Sequence, residues 1–333
     1  MAEESSKAVI IDTGSGYCKA GLASDESPVC CFPTVYARDD SAPENPIHLV
    51  GEDAKKEAYR LENKRPMVRG IIKDWDAMEH IWQHCYLEQM KIDSNEHPLL
   101  TPFYPDDSKI EKENTAMVFF ETFSVPGYCC MPGAVLALYG SGKTTGLVID
   151  SGEDVTSVVP VADGYQLPYC HVMQEFGGRD VSAHLARLLG KEQVSEDAAT
   201  KIKEMRGFVS PSTGLESIAP MSYQLPDGTA VTFTNEPTKA VETIFQPAMA
   251  SSQMGLGHMI VECLYKLDAE SRREFVNHLV LVGGNTLFKN FAPRYVILDI
   301  ECKKKFTSCL DTLPKLKCIS LMTEDISAGS VVL

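Results

Sequence analysis

The sequence lacks the features that mark several classes of protein. None of its 11 cysteines belongs to a CxxC pair, and the odd count is scattered along the chain. These cysteines therefore indicate free thiols in a reducing compartment and neither a disulfide framework nor a zinc site. No apolar run approaches the length that spans a membrane. The first ten residues, MAEESSKAVI, are too acidic and polar for a signal peptide.

Basic residues are also scarce. Lys and Arg number 31 against 46 Asp and Glu, which gives a net charge of −15. This balance disfavours nonspecific binding to nucleic acid or to anionic membranes. The 333 residues are 44% hydrophobic, which is enough for a large core. Composition thus predicts a cytoplasmic protein, built as two lobes, with no nucleic-acid partner and no membrane insertion.

The most informative stretch runs from Val9 to Gly21 and reads VIIDTGSGYCKAG. Its three β-branched residues predict a buried strand that ends at Asp12. The turn Gly14–Gly16 allows the close backbone approach that a phosphate needs, and Lys19 follows as a positive charge. A carboxylate, a glycine-rich turn and a lysine suit a hydrated magnesium ion and a nucleotide phosphate tail. The alternative is a hairpin turn that binds nothing.

The same element recurs later in the chain. Residues 147–161, LVIDSGEDVTSVVPV, repeat the order of strand, acid, small residue, glycine and returning strand. Asp12 and Asp150 then occupy equivalent places, and two such hairpins could hold one phosphate tail with magnesium between the acids. A third apolar strand, within residues 279–287, runs into paired glycines. The three elements in this order form a specific signal.

These motifs resemble those of actin and the actin-related proteins. The matching segments include DTGSGYCKAG, VIDSGEDVT and LVGGNTLF, with GIIKDWDAMEHIW, FETFSVPG and YQLPDG between them, and the likeness runs from about Ala8 to Gly329. The resemblance implies a two-lobed α/β fold of the actin-like ATPase type, with duplicated ribonuclease-H-like domains and a nucleotide cleft between the lobes. It implies a first lobe at residues 1–134 and a second at 135–333, with the C-terminal return to the first lobe truncated.

The resemblance also implies a cofactor and a set of binding residues. The cofactor would be ATP or ADP with Mg²⁺, the metal being held through water by Asp12 and Asp150, which would also be the catalytic acids of an active enzyme. The nucleotide-binding residues would be Gly14, Ser15, Gly16, Lys19, Asp150, Gly152, Lys203, Glu204, Gly283, Gly284, Thr286, Leu287 and Phe288.

Several departures from the family pattern bear on activity. Gly133 stands where actins have the glutamine that positions the attacking water, and Ser157 replaces a histidine that helps to order it. Because phosphoryl transfer to water depends on such positioning, we expect no efficient catalysis and at most a weak ATPase. Asp154 replaces a glycine and is expected to bring negative charge near the phosphates. A shortened loop at 38–46 weakens any expectation of actin-like polymerisation.

The expected function is that of an actin-related protein that binds nucleotide and serves as a structural or regulatory subunit of a cytoskeletal assembly. Its partners would be other actin-family or cytoskeletal proteins in a complex, located in the cytoplasm. One alternative is a slow ATPase able to polymerise like actin, and another is an interaction scaffold without nucleotide. A sugar or acetate kinase is more distant, because no base for an acceptor site stands out.

Other motifs have simpler interpretations. The segment Gly140–Gly146 is similar to a P-loop, but the required first glycine is Ala137 and a strand follows instead of a helix. His80 and His84 have a spacing that can ligate metal, yet no third ligand is near, which favours a solvated helix face.

Asp74 is the expected N-cap of the helix that carries these histidines. Further helices are predicted at 115–123, as an amphipathic segment, and from Gly178 to Leu189, where Gly190 ends the helix.

Overall fold

The structure is a computed structural model, which describes residues 7–41, 44, 46–190, 194–210, 219–225, 228–247 and 253–293. These residues form two compact units that divide between Lys143 and Thr144. The C-terminal part of the predicted second lobe, residues 294–333, lies outside the described residues.

The first unit contains nine strands and four α-helices in the part of the chain that is described. The strands are β1 (Val9–Thr13), β2 (Tyr17–Leu22), β3 (Cys30–Pro33), β4 (Tyr36–Asp39), β5 (Ile47–Val50), β6 (Met67–Val68), β7 (Ile71–Ile72), β8 (Leu99–Phe103) and β9 (Tyr128–Pro132). The helices are α1 (Glu52–Lys56), α2 (Trp75–His84), α3 (Lys109–Glu121) and α4 (Gly133–Gly140). A π-helix at Cys85–Met90 continues α2, and a short 3₁₀ helix occupies Ser94–Glu96.

The main sheet of the first unit has the strand order β3-β2-β1-β8-β9. Strands β1, β2 and β3 are antiparallel, whereas β8 is parallel to β1 and β9 is parallel to β8. The α4 helix belongs to this unit, although the division predicted after residue 134 cuts through it.

The core of the first unit is built around Trp82. This side chain is 2% exposed, and its ring lies 4.5 Å from that of Phe119 between centroids. Its indole Nε1 donates a hydrogen bond of 3.0 Å to the hydroxyl of Thr13, at the end of β1. This bond satisfies the buried N–H and fixes α2 against the end of the first strand.

The second unit contains seven strands and five α-helices among the described residues. The strands are β10 (Gly146–Ser151), β11 (Thr156–Ala162), β12 (Tyr165–Gln166), β13 (Val172–Gln174), β14 (Met221–Gln224), β15 (Ala230–Phe233) and β16 (Leu279–Val282). The helices are α5 (Gly178–Leu189), α6 (Glu196–Arg206), α7 (Glu236–Glu242), α8 (Leu256–Lys266) and α9 (Arg272–Asn277), and a 3₁₀ helix follows at Gly284–Leu287.

The two units repeat one arrangement of strands. In the first, β1 pairs antiparallel with β2 and parallel with β8. In the second, β10 pairs antiparallel with β11 and parallel with β16, which comes much later in the chain. The predicted recurrence of strand, turn and returning strand is therefore confirmed. The strand β10 that follows Gly140–Gly146 also agrees with rejecting a P-loop there.

Helix boundaries follow the expected end signals in most cases. The α5 helix spans Gly178–Leu189 as predicted, and Gly190 ends it with φ +90°. The prediction of an amphipathic helix at 115–123 is wrong in both extent and character. The helix begins earlier, because Ser108 and Glu111 form a capping box, and Phe119 is its one fully buried residue.

None of the helices in the described part of the chain is both long and apolar enough to cross a bilayer. The eight cysteines in that part are all free thiols.

The N-cap of α2 gives a first prediction. The Asp74 carboxylate accepts a hydrogen bond of 3.0 Å from the backbone N–H of Ala77. Replacing Asp74 with Ala should destabilise the chain by about 1 kcal/mol, whereas Asp74→Asn should retain most of the cap. Chemical denaturation of both variants and the parent would measure this. Equal loss in the two variants would contradict a capping role.

Candidate functional site

The first hairpin places Asp12 and Lys19 opposite each other in the register of β1 and β2. The Lys19 ammonium donates to the Asp12 carboxylate at 2.8 Å, with side chains 18% and 29% exposed respectively. Burial disfavours the charged lysine, but the charge and hydrogen bond of Asp12 outweigh it, so the pKa of Lys19 lies above its usual value. Both predicted residues are therefore paired and partly accessible.

The turn between these strands is held by hydrogen bonds from Thr34. Its hydroxyl donates to the carbonyl of Gly14 at 2.7 Å, and its backbone N–H donates to the carbonyl of Gly16 at 3.0 Å. Ser15 is buried, and neither glycine has a positive φ. A Cβ at Gly14 would lie 3.0 Å from the carbonyl oxygen of Tyr17. Glycine is therefore needed at position 14 because its main chain lies close to that of Tyr17, and not because the backbone is left-handed there. Sequence reasoning missed Thr34.

The second hairpin places Asp150 near the end of β10, opposite Ser157 on β11 and Val282 on β16. The turn after it is closed by a bond from the N–H of Gly152 to the carbonyl of Val155, at 2.9 Å. Asp150 thus lies in the middle strand of three, at the same place in its hairpin as Asp12 in the first.

Gly283 fits against this hairpin because it has no side chain. Its φ is +89°, and a Cβ there would lie 2.4 Å from the carbonyl oxygen of Ser151 and 2.5 Å from Oδ1 of Asp150. The main chain at Gly283 therefore approaches the acid more closely than a residue with a Cβ could.

Asn285 is a residue of this region that sequence reasoning missed. Its amide donates to the hydroxyl of Ser151 at 3.1 Å and to the carbonyl of Gly152 at 2.8 Å. It ties the 3₁₀ helix after β16 to the second hairpin. The sequence pattern that could have identified Asn285 is a polar residue directly after two glycines. The structure shows that this asparagine is buried.

The other predicted residues of this segment follow Asn285. Thr286 donates from its hydroxyl to the carbonyl of Gly283 at 2.7 Å, and Leu287 is largely exposed. A Cβ at Gly207 would lie 3.0 Å from Phe288, so that ring contacts the C-terminal end of α6. The structure thereby brings Phe288 to the helix that carries Lys203 and Glu204.

Lys203 and Glu204 have different environments on α6. Glu204 is exposed, whereas Lys203 is 3% exposed. The Lys203 ammonium donates to the carbonyl of Gly178 at 2.8 Å and lies 3.9 Å from the carboxylate of Glu153. Most of its surface is therefore covered by its own unit.

Asp154, which was expected to bring negative charge near the phosphates, is paired with a cation in the structure. Its side chain is fully buried and lies 3.0 Å from the guanidinium Nε of Arg179, at the start of α5. The ion pair neutralises the carboxylate inside the second unit. Sequence reasoning missed the partner because Arg179 lies 25 residues further along the chain.

The residues expected to impair hydrolysis are also placed by the structure. Gly133 is the first residue of α4, directly after β9. A Cβ there would lie 3.6 Å from Pro102, which is ordinary contact, so the backbone would accept a larger residue. Ser157 is buried on β11 opposite Asp150.

His80 and His84 are not simply solvated, as the sequence suggested. The His80 ring stacks on that of His48 at 3.9 Å between centroids, and the His84 ring meets Phe32 edge-on at 4.9 Å. Within the described ranges, no cluster of three or more His, Cys, Asp or Glu side chains could hold a metal ion. The two histidines therefore contribute packing between α2 and the neighbouring strands.

The predicted site residues fall into two groups. Asp12, Lys19 and the turn Gly14–Gly16 lie in the first unit, and the remaining nine lie in the second. Within each group the structure brings the residues to one hairpin or to the elements that contact it.

The glycine at position 283 gives a second prediction. Gly283→Ala should destabilise the chain by more than about 1 kcal/mol, because it adds a Cβ at positive φ against Ser151. Gly142→Ala is the matched control, since its φ is +71° and nothing lies within 4 Å. Thermal unfolding would compare them. Equal losses would show that backbone strain alone matters, and not the close approach to Ser151 and Asp150.

The family model for actin matches this chain over residues 3–213 and 195–324. The two matched segments include both hairpins, Gly283 and the helix that carries Lys203.

Proposed function

The chain belongs to the actin family, and on that premise we propose that it binds ATP or ADP together with Mg²⁺. We propose further that it serves as a structural or regulatory subunit of a cytoskeletal assembly in the cytoplasm, with impaired hydrolysis. Its partners would be other actin-family or cytoskeletal proteins.

The repeated hairpin is the observation that carries this proposal. In each unit an acid stands near the end of a central strand, beside a turn whose backbone is fixed by hydrogen bonds. A backbone turn and a nearby carboxylate suit a phosphate tail and its metal ion. Two copies of this arrangement support a nucleotide site over an ordinary hairpin.

The side chains present fit Mg²⁺ bound mainly through water and phosphate. Asp12 and Asp150 would hold the hydrated ion, since carboxylates are its preferred protein ligands. The described residues offer no cluster of three ligands, which agrees with an ion that keeps its waters. When bound, the ion would neutralise phosphate charge. Lys19 would add a second positive charge beside Asp12.

The remaining site residues would bind the nucleoside. The backbone at Gly283 and Gly284, with Thr286, Leu287 and Phe288, would form one wall, and α6 would contribute Lys203 and Glu204. Leu287 is exposed and Phe288 contacts α6, so apolar surface is available for a base. Gly152 and Ser15 would contribute backbone and hydroxyl contacts to phosphate.

Impaired hydrolysis follows from what Gly133 and Ser157 lack. Neither can hold a water molecule in line with the terminal phosphate as a long amide or an imidazole can. The phosphate would then be bound without being cleaved efficiently, which suits a structural role.

The binding proposal predicts that Lys19→Ala weakens affinity for ATP by about tenfold, because a charge-assisted contact to phosphate is lost. Lys56→Ala is the matched control, since Lys56 also pairs with an aspartate but is 70% exposed on α1. Titration calorimetry with ATP and Mg²⁺ would measure both. An unchanged affinity in Lys19→Ala would remove this residue from the site.

The second proposal concerns hydrolysis. Single-turnover cleavage of bound ATP should be at least about tenfold slower than in conventional actins, because no side chain at Gly133 positions the water. Gly133→Gln should raise the rate, and a Cβ at this position would make only ordinary van der Waals contacts. Rapid-quench measurement of the ADP formed over time would give the hydrolysis rates of the parent and of Gly133→Gln. A parent rate that matches conventional actins would contradict the role assigned to Gly133.

A further inference from the structure

Three polar side chains converge on Gly178 at the start of α5. A Cβ at this glycine would lie 2.8 Å from Oε2 of Glu153, 3.0 Å from Oδ1 of Asn285 and 3.1 Å from Nζ of Lys203. The residues come from the second hairpin, the 3₁₀ helix and α6. Glycine at position 178 is what allows them to share this space.

The Lys203 ammonium is enclosed by this cluster. It is 3% exposed, donates to the Gly178 carbonyl at 2.8 Å and lies 3.9 Å from the carboxylate of Glu153. A lysine this deeply buried is normally paired with a negative charge. Glu153 supplies a carboxylate for this purpose, and its side chain is 22% exposed.

The reach of Glu153 depends on the length of its side chain, because its backbone is fixed. Its carbonyl accepts a hydrogen bond of 2.8 Å from the N–H of Arg179. A Cβ at Gly177 would lie 2.5 Å from the carbonyl carbon of Glu153, so the two main chains are in close contact. A shorter acid at this position would hold its carboxylate about one methylene further from Lys203.

We propose that Glu153 acts as an internal counter-ion that holds Lys203 within the second unit and so lowers the affinity of the chain for ATP. This role rests on the proposed nucleotide site. While Glu153 neutralises Lys203, the lysine adds little positive charge for an anionic ligand. Removing the carboxylate leaves the ammonium on the Gly178 carbonyl, where its positive charge would add to the attraction of the site for anionic ATP.

The test compares ATP affinity by titration calorimetry in the full chain. Glu153→Gln, and Glu153→Asp as a second variant that keeps the charge, should each bind ATP at least about threefold more tightly than the parent. Glu196→Gln is the matched control, because Glu196 is an exposed acid on the first turn of α6. It removes the same charge without touching Lys203, so its affinity should equal that of the parent.

A double-mutant cycle with Lys203→Met separates the pair from general repulsion. If Glu153 acts through Lys203, Glu153→Gln should give no gain in the Lys203→Met background. A gain in ATP affinity that persists in the Lys203→Met background overturns the proposal. An ATP affinity of Glu153→Gln that equals that of the parent overturns it as well. Absence of ATP binding in the parent chain would overturn the nucleotide site itself, whereas binding without an effect at Glu153 would overturn this role alone.

Acetylation of lysines provides a readout that needs no nucleotide. With acetic anhydride and mass spectrometry, Lys203 should react far more slowly than the exposed Lys201 on the same helix. Its rate should rise in Glu153→Gln while that of Lys201 stays constant. Equal rates for Lys201 and Lys203 in the parent would contradict the enclosed pair.

Discussion

The second unit depends on a close approach between two stretches of main chain that are far apart in sequence. Parallel pairing of β16 with β10 brings Gly283 against Ser151 and Asp150, where a side chain would not fit. Asn285 then secures this contact with hydrogen bonds to Ser151 and Gly152. The backbone beside Asp150 is therefore already held in place by contacts within the unit. Such pre-organisation would lower the conformational-entropy cost of binding a ligand there.

Charge is arranged differently around the two hairpins. In the first unit, Lys19 pairs with Asp12 and both remain partly accessible. In the second, two charged side chains near the hairpin are buried within the unit. Asp154 pairs with Arg179, and Lys203 lies beside Glu153. Both hairpins thus have paired charges, but the first leaves both members of its pair partly accessible, while each pair at the second has one member that is almost fully buried.

Much of the fold followed from local sequence patterns. The β-branched run before Asp12, the N-cap Asp74 and the glycine after α5 each gave the right element, because one local interaction decides the outcome. The actin-like α/β fold class is likewise confirmed. Contacts distant in sequence were not predictable. The pairing of Asp154 with Arg179 and the burial of Lys203 depend on how α5 and α6 meet the second hairpin, which no single stretch encodes.

The most direct test is to titrate the purified chain with ATP and Mg²⁺ by calorimetry and then to identify the nucleotide that stays bound. Saturable binding that depends on Mg²⁺, with ATP recovered intact after incubation, is the predicted result. Recovery of ADP at the rate of conventional actins would contradict impaired hydrolysis. No binding at all would contradict the nucleotide site and leave an interaction scaffold of the same fold.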